Sequence, residues 1–255
     1  MFRPTRLDRA ALATACGGMA VCGALALAWA DVLPGGWRLR GLAEPHVLRE
    51  ARERALHFAA RVREFEREDP EARREPIVFL GSSTIERCDF ERDFPGLRAL
   101  GRGIGGAGAR ELAAHVDRLL AGVEPRAIVL YAGGPDRVAA PLAVDEVLGS
   151  IRELARAVRA RAPHTPVLML GLLPSTRTRG AEADALERID AGVARIALEL
   201  GFAHVHFRDS GLAGPDRALV EALSTDGLHL TPAGYAIFAE RLRSAPEPFA
   251  SALAG

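Results

Sequence analysis

Apolar and polar positions along this chain follow two alternating rhythms. Short apolar runs at 77–80, 127–131 and 167–172 have the length and the Val/Ile/Leu content of strands buried on both faces, as in a parallel sheet, and 203–207, interrupted by two histidines, reads as a last strand. A weaker run at 97–100, leading into a glycine-rich turn, is a fifth candidate. Between them, apolar residues recur at helical spacing. The segment 110–121 places Leu112, Val116, Leu119 and Leu120 on one face, and 144–161, 181–200 and 232–242 repeat the pattern. Gly201 stops the third of these helices and Pro232 opens the last. Strands alternating with helices predict a parallel sheet with right-handed crossovers, here an α/β/α sandwich of three layers with a five-stranded sheet.

The pattern changes ahead of residue 75. From 45 to 68, Val47, Leu48, Ala51, Ala55, Phe58, Ala59, Val62 and Phe65 recur at helical spacing, and the opposite face is dense in Arg and Glu. Such a helix packs onto the domain or spaces it from a membrane. Residues 31–44, with Pro34, Gly35 and Gly36, read as a linker. Before it, Arg3, Arg6 and Arg9 precede a mostly apolar run over 10–30 that ends Ala28-Trp29-Ala30. This is the layout of a cleaved secretory signal peptide, or of a retained inner-membrane anchor. Either predicts an exported body, periplasmic or secreted, with membrane attachment through residues 10–30 if the segment is kept. The expected organisation is 1–30 signal or anchor, 31–74 linker and charged helix, 75–245 the α/β domain, and 246–255 a tail.

Composition narrows the function classes. The formal charge is zero and all 33 basic residues are Arg, so a nucleic-acid partner is not indicated. The chain has no Lys, Asn or Gln. Of the three cysteines only Cys88 lies in the body, and it reads as a small core residue. Gly101-x-Gly103-x-x-Gly106 matches a dinucleotide-binding spacing, yet the strand before it is poor and the acidic residue at the right distance, Glu124, precedes a strand. His204 and His206 share a strand face without a third ligand at a recognisable spacing, so they read as satisfied strand histidines. His46, His57, His115 and His164 read as surface residues.

Two stretches carry candidate chemistry. The first strand ends at Gly81-Ser82-Ser83, which puts hydroxyls at the carboxyl end of a buried strand, where open α/β sheets hold their ligands. Near the other end, Asp226-Gly227-Leu228-His229 places a carboxylate three residues before an imidazole on a turn. That spacing lets the carboxylate hold one ring nitrogen while the other faces outward as a base.

Together these blocks resemble the SGNH (GDSL-type) hydrolase family, in its branch with Gly-Ser-Ser where others have Gly-Asp-Ser. Residues 101–106 are similar to the family's second block, 131–136 to its third, and 173–177 to a further segment of the branch, all in family order over roughly 75–243. The resemblance implies a flavodoxin-like strand order, a catalytic triad of Ser83, Asp226 and His229, and Gly106 as an oxyanion donor beside the backbone N–H of Ser83. It implies an ester substrate, of small-molecule, lipid or glycan type, and needs no metal or cofactor. The third block departs from the family: where Gly-x-Asn-Asp places an oxyanion-donating Asn, this chain has Pro135, with neither amide side chain nor N–H. Arg137 and Arg102 are the candidates for an auxiliary cation there. Ser82, in place of the acidic residue of Gly-Asp-Ser, is expected to cap or hydrogen-bond locally.

Overall fold

The apolar runs are buried throughout because helices cover both faces of the sheet they form. The computed structural model describes residues 46–68, 70–138 and 142–253. Its strands are β1 (Ile77–Gly81), β2 (Ala99–Gly103), β3 (Ala127–Tyr131), β4 (Val167–Leu170) and β5 (Ala203–Val205). All pair in parallel, in the order β2-β1-β3-β4-β5. Every residue of β1, β3 and β4 is buried, as expected of strands covered on both sides. The order is the flavodoxin-like one, and its direction of winding reverses between β1 and β3.

The helices are α1 (His46–Glu66), α2 (Ser83–Glu86), α3 (Phe90–Asp93), α4 (Ala109–Ala114), α5 (Val116–Leu119), α6 (Gly134–Val138), α7 (Val144–Arg161), α8 (Gly180–Leu200), α9 (Pro232–Arg243) and α10 (Phe249–Leu253). The crossover helices α7 and α8 and the closing helix α9 lie where their periodicity puts them. Gly201 closes α8 in the left-handed conformation, at φ +65°. Thr231 caps α9 by accepting from Gly234 N, with Pro232 behind it as the first helical residue.

Two local expectations are corrected. The glycine-rich 101–103 stretch is the body of β2 rather than a turn, in register with Phe79, Leu80 and Gly81. The glycines are there because other groups occupy the space of a side chain: a Cβ on Gly103 would lie 2.1 Å from Glu86 N, and one on Gly101 2.8 Å from the Phe90 ring. With 101 and 103 inside a strand, this stretch forms no phosphate-cradling turn. The helix expected over 110–121 is broken at His115, whose φ of −120° is not helical. Its Nδ1 lies 2.9 Å from Glu111 O and its ring packs 4.6 Å from that of Phe58, so a side-chain bond replaces a helical one. A compact unit runs from Leu56 to Gly255. Phe58, Val62 and Phe65 of α1 and Phe249 and Leu253 of α10 belong to its core.

Residues 1–45, and with them the signal or anchor segment, lie outside the described residues. Among the described residues no helix is long and apolar enough to cross a membrane.

Candidate active site

The site is built at the point where the winding reverses. β1 stops at Gly81, where a Cβ would fall 2.1 Å from Tyr131 O on β3, so only glycine fits there. The chain turns through Ser82 and enters α2 with Ser83 as its first residue. Ser82 is 2 % exposed and sits at the cap position, but its side chain makes no cap hydrogen bond. Its carbonyl accepts from Ile85 N and Glu86 N instead, so it caps through the backbone.

The second half of the site comes from the turn before α9. Gly227 adopts φ +88° and its N–H donates to Ser224 Oγ at 2.8 Å. Thr225 N donates to His229 O at 2.9 Å, and Thr176 N donates to Gly227 O at 2.8 Å. The segment 173–177, which sequence marked without a role, therefore buttresses this turn. A Cβ on Gly227 would lie 2.7 Å from Thr176 Oγ1, so the buttress is close. Tyr235 Oη on α9 donates to Thr84 O at 2.8 Å and ties α9 to the serine turn.

The two halves meet. His229 Nε2 lies 3.0 Å from Ser83 Oγ, and His229 Nδ1 lies 2.6 Å from Asp226 Oδ2. Asp226 Oδ1 accepts from His229 N at 2.8 Å and from Leu228 N at 3.0 Å. These bonds, led by the backbone N–H of His229 and then its ring, hold the Asp226 carboxyl well below the usual carboxylate range. An ionised Asp226 selects the His229 tautomer with hydrogen on Nδ1, which leaves Nε2 as an acceptor facing the hydroxyl.

A cleft of ≈ 450 Å³ opens over Ser83 and His229. Gly106, Pro135 and Arg137 line it. Gly106 has φ +76°, and neither its N–H nor that of Ser83 is engaged in the loop and cap hydrogen bonds of the described residues. Pro135 sits in the first turn of α6. The neighbouring Asp136 accepts from Ala109 N at 2.9 Å, so this part of the third block holds α4.

Neither auxiliary arginine is free to serve the cleft. Arg137 reaches it, but its guanidinium is spent on both oxygens of Glu182 and on Leu142 O. Arg102 is placed elsewhere: it is 1 % exposed and lines none of the cleft. It donates to both oxygens of Glu68 at 2.9 and 2.6 Å and to Leu119 O at 2.8 Å. The alternation of β2 accounts for this, since Gly101 and Gly103 occupy the face toward α2 and α3 and Arg102 the opposite one.

Some site residues escaped the sequence reading. His57 is exposed, as expected of a surface residue, and it also lines the cleft 2.9 Å from Glu86 Oε1, a role the sequence did not mark. Tyr131 closes β3 as a fully buried cleft wall, burial pushing its phenol up, with its oxygen accepting from Leu173 N at 3.4 Å. No pattern marked His57; for Tyr131 the polar end of an apolar strand was a usable signal. Cys88 is buried and its thiol is pushed up by that burial, so it is inert. His204 is not satisfied as expected: its buried Nε2 lies 3.4 Å from Asp190 Oδ1 but makes no hydrogen bond, and His206 Nδ1 has none either.

A parallel α/β sheet presenting a Ser-His-Asp relay at its winding reversal defines a hydrolase-type site. The family model of the GDSL-like Lipase/Acylhydrolase family matches residues 79–237, more than half of the chain, and the chain belongs to that family. Human (Homo sapiens) platelet-activating factor acetylhydrolase IB subunit alpha1 is 28% identical over 177 residues, 66% of this chain and 74% of that protein. A Streptococcus pneumonia protein whose name refers to platelet activating factor superposes with a TM-score of 0.66 at 21% identity, over 77% of this chain and 96% of its own. An acetyl xylan esterase, AlAXEase, superposes with a TM-score of 0.56 at 15% identity, over 66% of this chain and 98% of its own. At these identities the two structures establish the shared fold.

Proposed function

We propose that this protein is an exported serine hydrolase that cleaves a short-chain carboxylic ester, acetyl above all, carried by a glycan or lipid. The observation that carries the reading is the relay itself, with Ser83 Oγ, His229 and Asp226 in hydrogen-bonding sequence at 3.0 and 2.6 Å. His229 Nε2 accepts the Ser83 proton as Oγ attacks the ester carbonyl, and Asp226 stabilises the imidazolium that forms. The backbone N–H groups of Ser83 and Gly106 hold the tetrahedral oxyanion. His229 returns the proton to the departing alkoxide, leaving an acyl-serine. Water then attacks that acyl group while His229 takes its proton, releasing the carboxylic acid and restoring Ser83. No step calls on a metal or cofactor.

The acetyl preference is supported by the names of an acetylhydrolase and an acetyl xylan esterase among the similar proteins. Export is supported by the basic flank, apolar run and Ala-Trp-Ala site of residues 1–30. A second reading, a catalytically impaired domain that binds an envelope glycan or protein, is favoured by Pro135 at the position of the family's donor Asn. An acyltransferase would use the same relay with a different acceptor.

A fluorophosphonate probe separates enzyme from binder. Labelling of the wild type that disappears in Ser83→Ala is the expected result, with turnover of aryl acetates alongside. An unlabelled wild type would leave the binding reading standing.

A further inference from the structure

We infer that Glu86 is a positioning residue that sets the spacing between the two backbone oxyanion donors, an inference that rests on the ester-hydrolase reading. Ser83 and Glu86 are the first and last residues of the single-turn helix α2. From that turn Glu86 reaches across to the neighbouring loop, where its Oε2 accepts from Gly105 N at 2.6 Å. Gly105 immediately precedes Gly106. One carboxylate therefore bridges the helical turn that begins with the first donor and the loop that carries the second.

The bridge is built for closeness. A Cβ on Gly105 would lie 2.5 Å from Glu86 Oε2, so only glycine lets the carboxylate come this near. A second pair of groups fixes the carboxylate. His57 Nε2 lies 2.9 Å from Glu86 Oε1, and Arg61 Nε lies 3.3 Å from the same oxygen. Arg61 Nε also donates to Gly103 O at 3.4 Å, in the strand that leads into the loop. The side chain of Glu86 is 20% exposed and that of His57 44%. The second half of α1 is thereby part of the site's scaffold.

The absence of a donor side chain at 135 gives this bridge its weight. Two backbone N–H groups must hold the oxyanion alone, and neither can adjust as a side chain does. A displacement of about 1 Å in such a group costs on the order of a hundredfold.

The test compares Glu86→Ala with Glu86→Gln. The amide retains an oxygen for Gly105 N, whereas Ala removes the bridge. With phenyl acetate as substrate, Glu86→Ala should lower kcat by roughly 10- to 100-fold and leave KM within about twofold, because the oxyanion exists only after attack. Affinity for a trifluoromethyl ketone, which forms a tetrahedral adduct on the serine, should fall in parallel. Glu86→Gln should restore most of both. Equal turnover in wild type and Glu86→Ala overturns the inference, as does a loss that Glu86→Gln fails to restore. Amide hydrogen exchange over 104–106 reads the bridge without turnover: it should quicken in Glu86→Ala, and unchanged exchange overturns the inference. A wild type with neither turnover nor fluorophosphonate labelling would instead overturn the hydrolase reading, and the exchange measurement still decides the bridge.

Discussion

Pro135→Asn should make the protein a faster esterase. Pro135 lines the cleft from the first turn of α6, beside Gly134 and close to the end of β3. An Asn there supplies the carboxamide that the family's third block carries, aimed from a helical turn over the same serine. Removing one such donor from an optimised site costs about 2.7–4 kcal/mol. A donor installed without further refinement recovers roughly a third to a half of that, about 1–2 kcal/mol, which is about 5- to 30-fold in kcat at 1.36 kcal/mol per decade. The exchange costs about 0.4–1 kcal/mol of stability through the freer unfolded chain. Initial rates on phenyl acetate measure the gain, with Pro135→Ala as the control that removes the ring and adds no donor. Gain in Asn over Ala is the prediction. If the two variants turn over alike, the side chain at 135 does not reach the oxyanion and the account of a missing third donor is wrong.

Other outcomes follow from the packing and the charges. Gly103→Ala forces a Cβ to 2.1 Å from Glu86 N. It should cost at least about 1–3 kcal/mol, seen as a fall of roughly 2–12 °C in Tm. Glu68→Ala leaves the 1 %-exposed Arg102 guanidinium without its carboxylate. Thermal denaturation should register a loss of about 1.5–3 kcal/mol, and Glu68→Ala with Arg102→Met should be less damaging than Glu68→Ala alone. The Asp226 carboxyl, held in its ionised form by His229 and Leu228, should show no titration step near about 3.9 when its carbon shift is followed by NMR. Because its folded pKa is depressed, the stability it contributes is complete above that ordinary value and is lost only as pH falls through the lower, folded one. A step at the ordinary value would contradict the bonding seen around it.

The fold was legible because its signals are periodic. Apolar runs marked β1, β3 and β4, and 3.6-residue spacing marked α7, α8 and α9, within a residue or two of their observed ends. The relay was legible because Gly-Ser-Ser and Asp-x-x-His are local patterns with a shared chemical sense. What sequence concealed depends on who faces whom across the molecule. Gly101 and Gly103 looked like a turn because glycine signals both freedom and lack of room, and here the reason is lack of room against Phe90 and α2. Arg102 looked available because it lies next to the site in sequence, while strand alternation sends it to the other face, onto Glu68. His57 carried no pattern at all, since its role depends on Glu86, contributed by a helix of one turn too short to be seen in any periodicity.

Ser83 and its base sit 146 positions apart, joined by the hydrogen bond of Tyr235 to Thr84 as well as by the relay. The imidazole comes from the turn before α9, so a polypeptide made only as far as β5 carries the hydroxyl without its base, and the relay forms only once α9 has docked. Assembly of the relay is thereby a report on completed folding: a molecule whose α9 is undocked has a serine hydroxyl but no imidazole beside it.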